Sequence, residues 1–263
     1  MKKFFRVLYI GLIFTFLYIP ILTLIVLSFN DTKTMGVWKG FTWDWYLEIF
    51  TNAQIIEAFW NTLIIALVSA VVATVVGVAA CVGIQALRHR TQQLVLQVTN
   101  IPLLNAEIVT AISLMLAFGL FGISLSMGTV LFSHITFCLP YVILNVLPKL
   151  RQSGMHIYEA ALDLGASPVR AFFSVVLPDI MPGVTSGFLM AFTMSVDDFV
   201  VTYFTRGAGI NTLSTLIYSQ VKVGIRPSIY ALSTIIFVIV LIVLIVANVL
   251  PDITAARKKG ENS

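Results

Sequence analysis

Six stretches of the chain, at about 7–28, 62–87, 94–121, 128–147, 182–204 and 229–250, are apolar almost throughout. Each has about 20 residues or more, which at a helical rise of ~1.5 Å per residue crosses a hydrocarbon core about 30 Å thick. In lipid every backbone N–H and C=O must be paired within the structure, so a spanning chain is either helical or a closed barrel. These runs are continuously apolar, whereas a barrel strand alternates apolar and polar over about ten residues. The predicted fold is therefore all-α and polytopic, with six transmembrane helices in a single domain over 1–263. A chain that is 59% hydrophobic and 11% charged, with a mean hydropathy of +0.97, cannot cover a soluble globule with polar surface. The first run is too long for a signal-peptide core and Ser28-Phe29-Asn30 is no small-x-small cleavage site, so it is predicted to remain as an anchor.

Lys and Arg set the orientation. With a cytoplasmic amino terminus, the inner segments hold Lys2, Lys3, Arg6, Arg88, Arg90, Lys149, Arg151, Arg170, Arg257, Lys258 and Lys259. The outer segments hold Lys33, Lys39, Arg206, Lys222 and Arg226. That bias predicts both termini in the cytoplasm. The net charge of +4 is thereby a topological signal, and no basic stripe interleaved with aromatics points to nucleic acid. Cys81 and Cys138 both fall inside spans, which argues against a disulfide framework.

The largest inner loop, about 155–183, contains "EAALDLGASPVRAFFSVVLPDIMPG" from Glu159 to Gly183. Small and apolar residues recur at helical spacing over Glu159–Leu164; Gly165 permits a turn that a Cβ would hinder, and Ser167-Pro168 can open a second helix. Val169, Phe172, Phe173 and Val176 then give that helix one apolar face, with Leu177-Pro178 predicted to end it. Two short helices joined at a glycine make a knob on the aqueous side, suited to the groove of a partner protein. The alternative is a plain connector with capping residues.

Glu159, Ala160, Ala161, Gly165, Leu177 and Pro178 stand at the spacing of the EAA coupling loop. In these positions the chain resembles the permease subunits of binding-protein-dependent ABC importers. "LYIPILTLIVLSFN" (17–30), "WKGFTWDWY" (38–46), "LFSHITFCLP" (131–140) and "DLGAS" (163–167) extend the likeness to the polyamine branch, spermidine and putrescine permeases, over nearly the whole chain. The resemblance implies a type I importer permease (MetI-like) fold in a bacterial inner membrane. It implies that Glu159, Ala160, Ala161, Asp163, Gly165, Ala166 and Ser167 couple to ATPase subunits whose closure on ATP rocks two permease halves. It also implies as partners a second, related permease, a pair of ATPase subunits and an external substrate-binding protein. No G-x-x-x-x-G-K-[ST] occurs, so ATP hydrolysis is expected in separate subunits, and this chain is expected to be neither an enzyme nor a cofactor carrier.

Substrate class is argued from the charges within the spans. Glu107 lies near the middle of its apolar run, and Asp197 and Asp198 fall in the outer half of the fifth. An acid at a helix centre costs about 2.5–3.5 kcal/mol on insertion scales, so such residues are expected to face a pathway or a partner. No Lys or Arg lies deep in a span, which favours a cation, and a polyamine is charged at each amine at neutral pH. Tyr203 and Tyr218 are expected to add cation–π contacts along the route, as are Tyr18 and Phe192. Adjacent helix positions diverge by about 100°. Asp198, which shares a small, polar face with Ala191, Ser195, Thr202 and Thr205, is therefore the better pathway candidate than Asp197. The competing reading is that Asp197 or Asp198 caps a kink and that Glu107 serves backbone freed near Pro102. His134 has no second ligand at metal spacing and is read as a packing residue.

The piece 213–223 reads equally as a surface helix or a loop, and Trp38, Phe41, Trp43, Trp45 and Tyr46 read as an interfacial aromatic belt. Permeases for thiamine, ferric iron or phosphonate remain alternatives, as does a proton-coupled secondary transporter, which ordinarily needs inverted repeats.

Overall fold

The computed structural model describes residues 2–32, 37–223, 226–238 and 241. Its elements are α1 (Lys2–Leu27), α2 (Asp44–Thr51), α3 (Ala53–Gln85), α4 (His89–Leu104), α5 (Glu107–Leu120), α6 (Met127–Asp163) and α7 (Pro168–Ala171). A π-helical turn (Phe172–Val176) leads into α8 (Leu177–Asp197), then α9 (Val200–Thr205), α10 (Leu213–Val223) and α11 (Pro227–Val238). Among the described residues the only strand-like pairing is one antiparallel bridge, Asn30 with Phe41.

Among the described residues four helical stretches are long and apolar enough to cross a membrane: Tyr9–Leu27, Ala53–Gln85, Met127–Gln152 and Pro168–Asp197. The third apolar run, expected as one helix over 94–121, is instead two helices, α4 and α5, bent by 105°. Pro102 removes a backbone donor from the last turn of α4, and Asn105 and Ala106 are extended, so the ladder stops there and restarts at Glu107. The sixth run is helical as far as Val238; its remainder apart from residue 241, like Lys33 and the basic residues Arg257, Lys258 and Lys259, lies outside the described residues.

The chain divides into two compact units, one of residues 57–216 and one of residues 1–56 with 217–263. In the first, the core is the antiparallel pair α6 and α8. Along α8 a small residue stands at every fourth position, Gly183, Gly187, Ala191 and Ser195, and all four are buried. Each meets a successive turn of α6: Gly183 lies against Asn145 and Lys149, Gly187 against Val142, and Ala191 accepts a bond from Cys138 Sγ at 3.3 Å. Ser195 meets His134 at 2.7 Å. In lipid, where no hydrophobic effect drives helices together, this close approach of small residues supplies the attraction. On α3 a matching face of Ala66, Ser69, Ala70, Ala73 and Cys81 is buried, and Gly77 abuts Val142.

A Cβ at Gly183 would stand 2.9 Å from the carbonyl oxygen of Asn145, backbone that cannot swing aside. Gly183→Leu is therefore expected to destabilise the helix pair by about 1–3 kcal/mol. The check is the midpoint of thermal unfolding in detergent, and an unchanged midpoint would show that the pair is not so tightly seated.

The second unit contains a knitted turn after α1. Asn30 is buried; its Nδ2 donates to Val37 O at 2.8 Å, its Oδ1 accepts from Lys39 N at 3.0 Å, and its carbonyl accepts from Trp45 Nε1 at 2.9 Å. Phe29 stacks on Phe41 and Tyr46 with Trp43 edge-on, so these aromatics form one packed cluster rather than a row of independent anchors.

Candidate functional site

The segment expected to couple to an ATPase is built from the ends of two long helices, which corrects the expectation of two short ones. Glu159, Ala160, Ala161 and Asp163 are the last turns of the 37-residue α6. α6 continues for roughly 16 Å, at 1.5 Å per residue, past the membrane-length apolar stretch Met127–Gln152. Its end is a Schellman motif: Gly165 N donates to Leu162 O at 2.8 Å and Ala166 N to Ala161 O at 3.0 Å, with Gly165 at φ +86°. Ser167 then caps α7, its Oγ accepting from Arg170 N at 3.4 Å, with Pro168 in the first turn where a missing N–H is harmless.

At the tip Leu164 is 90% exposed, an apolar side chain offered to solvent. Leu177-Pro178 does not end the second helix. The π turn lets Leu177 N reach back to Phe172 O, five residues earlier, and this widened turn admits Pro178 without the usual clash, so the helix runs on through α8. The single apolar face expected there splits in two. Val169 and Phe173 are exposed, while Phe172 and Val176 pack on the core. With Val82, Leu150 and Ile157 they line a groove of about 460 Å³.

The fifth apolar run is broken at Asp198, which is extended between α8 and α9. The face shared by Ala191, Ser195, Asp198, Thr202 and Thr205 is real, but it points into the protein. Asp198 Oδ1 accepts from Val201 N at 3.1 Å, and Oδ2 accepts from Thr202 N at 2.9 Å and Thr202 Oγ1 at 3.0 Å. The carboxylate thus caps α9, against the expectation that Asp198 faces a lumen. Backbone donors at a helix amino terminus satisfy the buried carboxyl oxygens. His134 completes the site: Nε2 lies 2.9 Å from Thr202 Oγ1 and 3.4 Å from Asp198 Oδ2. Thr202 gives its single hydroxyl proton to Asp198, so it accepts from His134 Nε2–H, and His134 Nδ1 accepts from Ser195. Ser214 Oγ donates to Asp198 O at 2.7 Å, and Thr129 Oγ1 to Thr205 O at 2.7 Å.

Asp197, one residue earlier, is exposed at the carboxyl end of α8. Glu107 is exposed as the first residue of α5, at the break in the third run. Tyr203 and Tyr218 do make cation–π contacts, but with the chain's own cations: the Arg206 guanidinium lies 5.6 Å from the Tyr203 ring and Lys222 Nζ 4.7 Å from that of Tyr218. Arg206 also donates to Ile210 O at 2.9 Å and to Asn211 Oδ1, beside a cavity of about 440 Å³ that Tyr203 and Phe204 help line. Sequence reasoning missed these pairings, although their i,i+3 and i,i+4 spacings were the available signal.

A family model described as "Binding-protein-dependent transport system inner membrane component" matches residues 1–259. The chain is 40% identical over 238 residues to the spermidine/putrescine transport system permease protein PotC of Escherichia coli K12, covering 90% of each. It is 38% identical over 251 residues to PotC of Haemophilus influenzae Rd, covering 95% of this chain and 98% of that protein. To the putrescine transport system permease protein PotI of E. coli K12 it is 38% identical over 238 residues, covering 88% and 85%. Among solved structures, a bacterial ABC transporter involved in import of the acidic polysaccharide alginate superposes with a TM-score of 0.72 over 95% of this chain and 94% of that one. At 18% identity this last likeness is one of fold.

Proposed function

The chain belongs to the family of binding-protein-dependent transport system inner membrane components, and from that premise we propose that it is the polyamine-conducting permease subunit of an ATP-driven importer. It supplies half of the translocation pathway. A related permease of the PotB kind supplies the other half, a pair of PotA-like ATPase subunits the motor, and a PotD-like external protein the substrate. The termini lie in the cytoplasm, as the Lys and Arg bias requires. The observation that carries the substrate class is the identity of 38–40% to spermidine and putrescine permeases over nearly the full chain. The charge pattern supports it: Glu107 and Asp197 offer exposed carboxylates within apolar runs that hold no deep Lys or Arg.

The coupling segment Glu159–Ser167 seats on the ATPase through the exposed turn around Leu164 and Gly165. Closure of the ATPases on ATP moves α6 and α8 together, because their small-residue seam permits no independent slip. Asp198 serves the pathway by keeping the fifth span broken, and Tyr203 and Tyr218 by fixing Arg206 and Lys222.

The test is uptake of labelled spermidine and putrescine by proteoliposomes holding the four-part complex, with external binding protein added. Uptake is expected with ATP inside and no proton gradient, and neither with ADP nor without this chain. Uptake that needs a proton gradient and ignores ATP would replace this reading with a proton-coupled carrier.

A further inference from the structure

We infer that His134 is the positioning residue of the substrate pathway. By clamping Asp198 from the opposite helix it holds span five broken, and this keeps the neighbouring Asp197 carboxylate at the accessible surface where a cation passes. The inference rests on the polyamine-permease reading and adds to it a device on α6 that none of the pathway acids itself contains.

Asp198 is extended, so the helical ladder is interrupted between α8 and α9, and something must favour the break. Asp198 alone satisfies the freed donors Val201 N and Thr202 N. Its burial is tolerable only if the carboxyl group is further solvated by protein; the added donor is the Thr202 hydroxyl, and His134 Nε2–H holds that hydroxyl in place by donating to its oxygen. His134 is 1% exposed and anchored at both ring nitrogens, Nδ1 to Ser195 on α8 and Nε2 to Thr202 on α9. It therefore bridges the two halves of the broken span, one anchor on each side of Asp198.

The consequence is directional. With the amino end of α9 neutralised by Asp198, the carboxyl end of α8 and the exposed Asp197 leave a surface that favours positive charge. Reforming a continuous helix would place Asp197 inside a helix rather than at the carboxyl end of one and remove that pairing of features.

The experiment compares His134→Ala, His134→Gln and Ser195→Ala in the full complex, measuring assembled complex, KM and maximal rate of spermidine uptake. Separately, Asp197→Cys is labelled with a water-soluble cationic thiosulfonate in each background; the parent chain, whose Cys81 and Cys138 are buried, gives the blank. His134→Ala is expected to raise KM about tenfold and to change the labelling rate at 197 severalfold. His134→Gln, which keeps a donor near the Nε2 position, should restore most of both, and Ser195→Ala should shift both in the same direction by less. Should His134→Ala fail to assemble, the KM and labelling of Ser195→Ala and His134→Gln decide the matter. Assembled variants with unchanged KM and unchanged labelling at 197 overturn the positioning role while leaving the polyamine reading intact. A wild-type complex that imports no polyamine removes the substrate instead, and the labelling comparison then decides the positioning role alone.

Discussion

Gly165→Arg is expected to abolish uptake while leaving membrane insertion unchanged. A Cβ built at Gly165 meets nothing within 4 Å, so an added side chain projects into open space and disturbs no packing inside the chain. The backbone effect is limited: holding a residue with a Cβ at φ +86° costs about 1–2 kcal/mol, tolerable for a turn at the end of two long helices. The guanidinium, by contrast, stands beside Leu164 at the tip, where the ATPase seats under the proposed mechanism. Gly165→Asn separates the two effects, since Asn tolerates the left-handed conformation and adds little bulk; it should retain much of the uptake. The measurements are the amount of chain in membranes, co-purified ATPase and uptake per chain. Gly165→Arg with normal ATPase association and normal uptake would remove this turn from the mechanism.

The second large effect is a contrast between adjacent residues. Asp198→Asn replaces a carboxylate that accepts three bonds with a group whose NH2 must face donors. Leaving such donors unpaired costs about 1–3 kcal/mol each, so this variant is expected to lose assembled complex. Asp197→Asn disturbs no bond among the described residues and should assemble normally. Its uptake should fall by about tenfold to a hundredfold in apparent affinity, the scale of losing one carboxylate near an amine in a partly wet cavity. Glu107→Gln should act like Asp197→Asn, more weakly where another acid compensates. Polyamine uptake per assembled complex distinguishes the two roles. Equal assembly of both Asp variants, with uptake lost only in Asp198→Asn, would return Asp198 to the lumen.

Particular residues show how far the sequence can be read. The apolar runs are visible because lipid demands length and continuity, and both survive any detail of packing. The turn at Gly165 is visible because few residues share that conformation. The shared face of Asp198 with Ser195 and Thr202 is also visible, since helical periodicity fixes it. Whether that face meets a lumen or another helix depends on α6, and no periodicity in residues 182–204 specifies the presence of His134. Breaks are harder still. Pro102 ends a ladder whereas Pro178 does not, and the difference lies in the π turn, a hydrogen-bond pattern that composition does not encode. Tyr203 and Tyr218 make the expected kind of interaction with the chain's own Arg206 and Lys222, neighbours three and four positions along the chain.

α6 carries Glu159 at one end and His134 toward the other, about 25 residues or roughly 38 Å apart on one helix. Under the proposed mechanism it is a lever with the ATPase contact at its tip and the proposed clamp on the broken span along its arm. A tilt of only ~5° about the tip sweeps His134 through about 3 Å, as far as a hydrogen bond is long. Pro140 and Pro148 lie between the two points and set how stiff the arm is. Under the proposed mechanism α8 travels with α6, so the bond to Ser195 is carried along and a stroke of that size loads the bond to Thr202 across the break: the ATPase need not push on substrate at all, only change the angle of one rod.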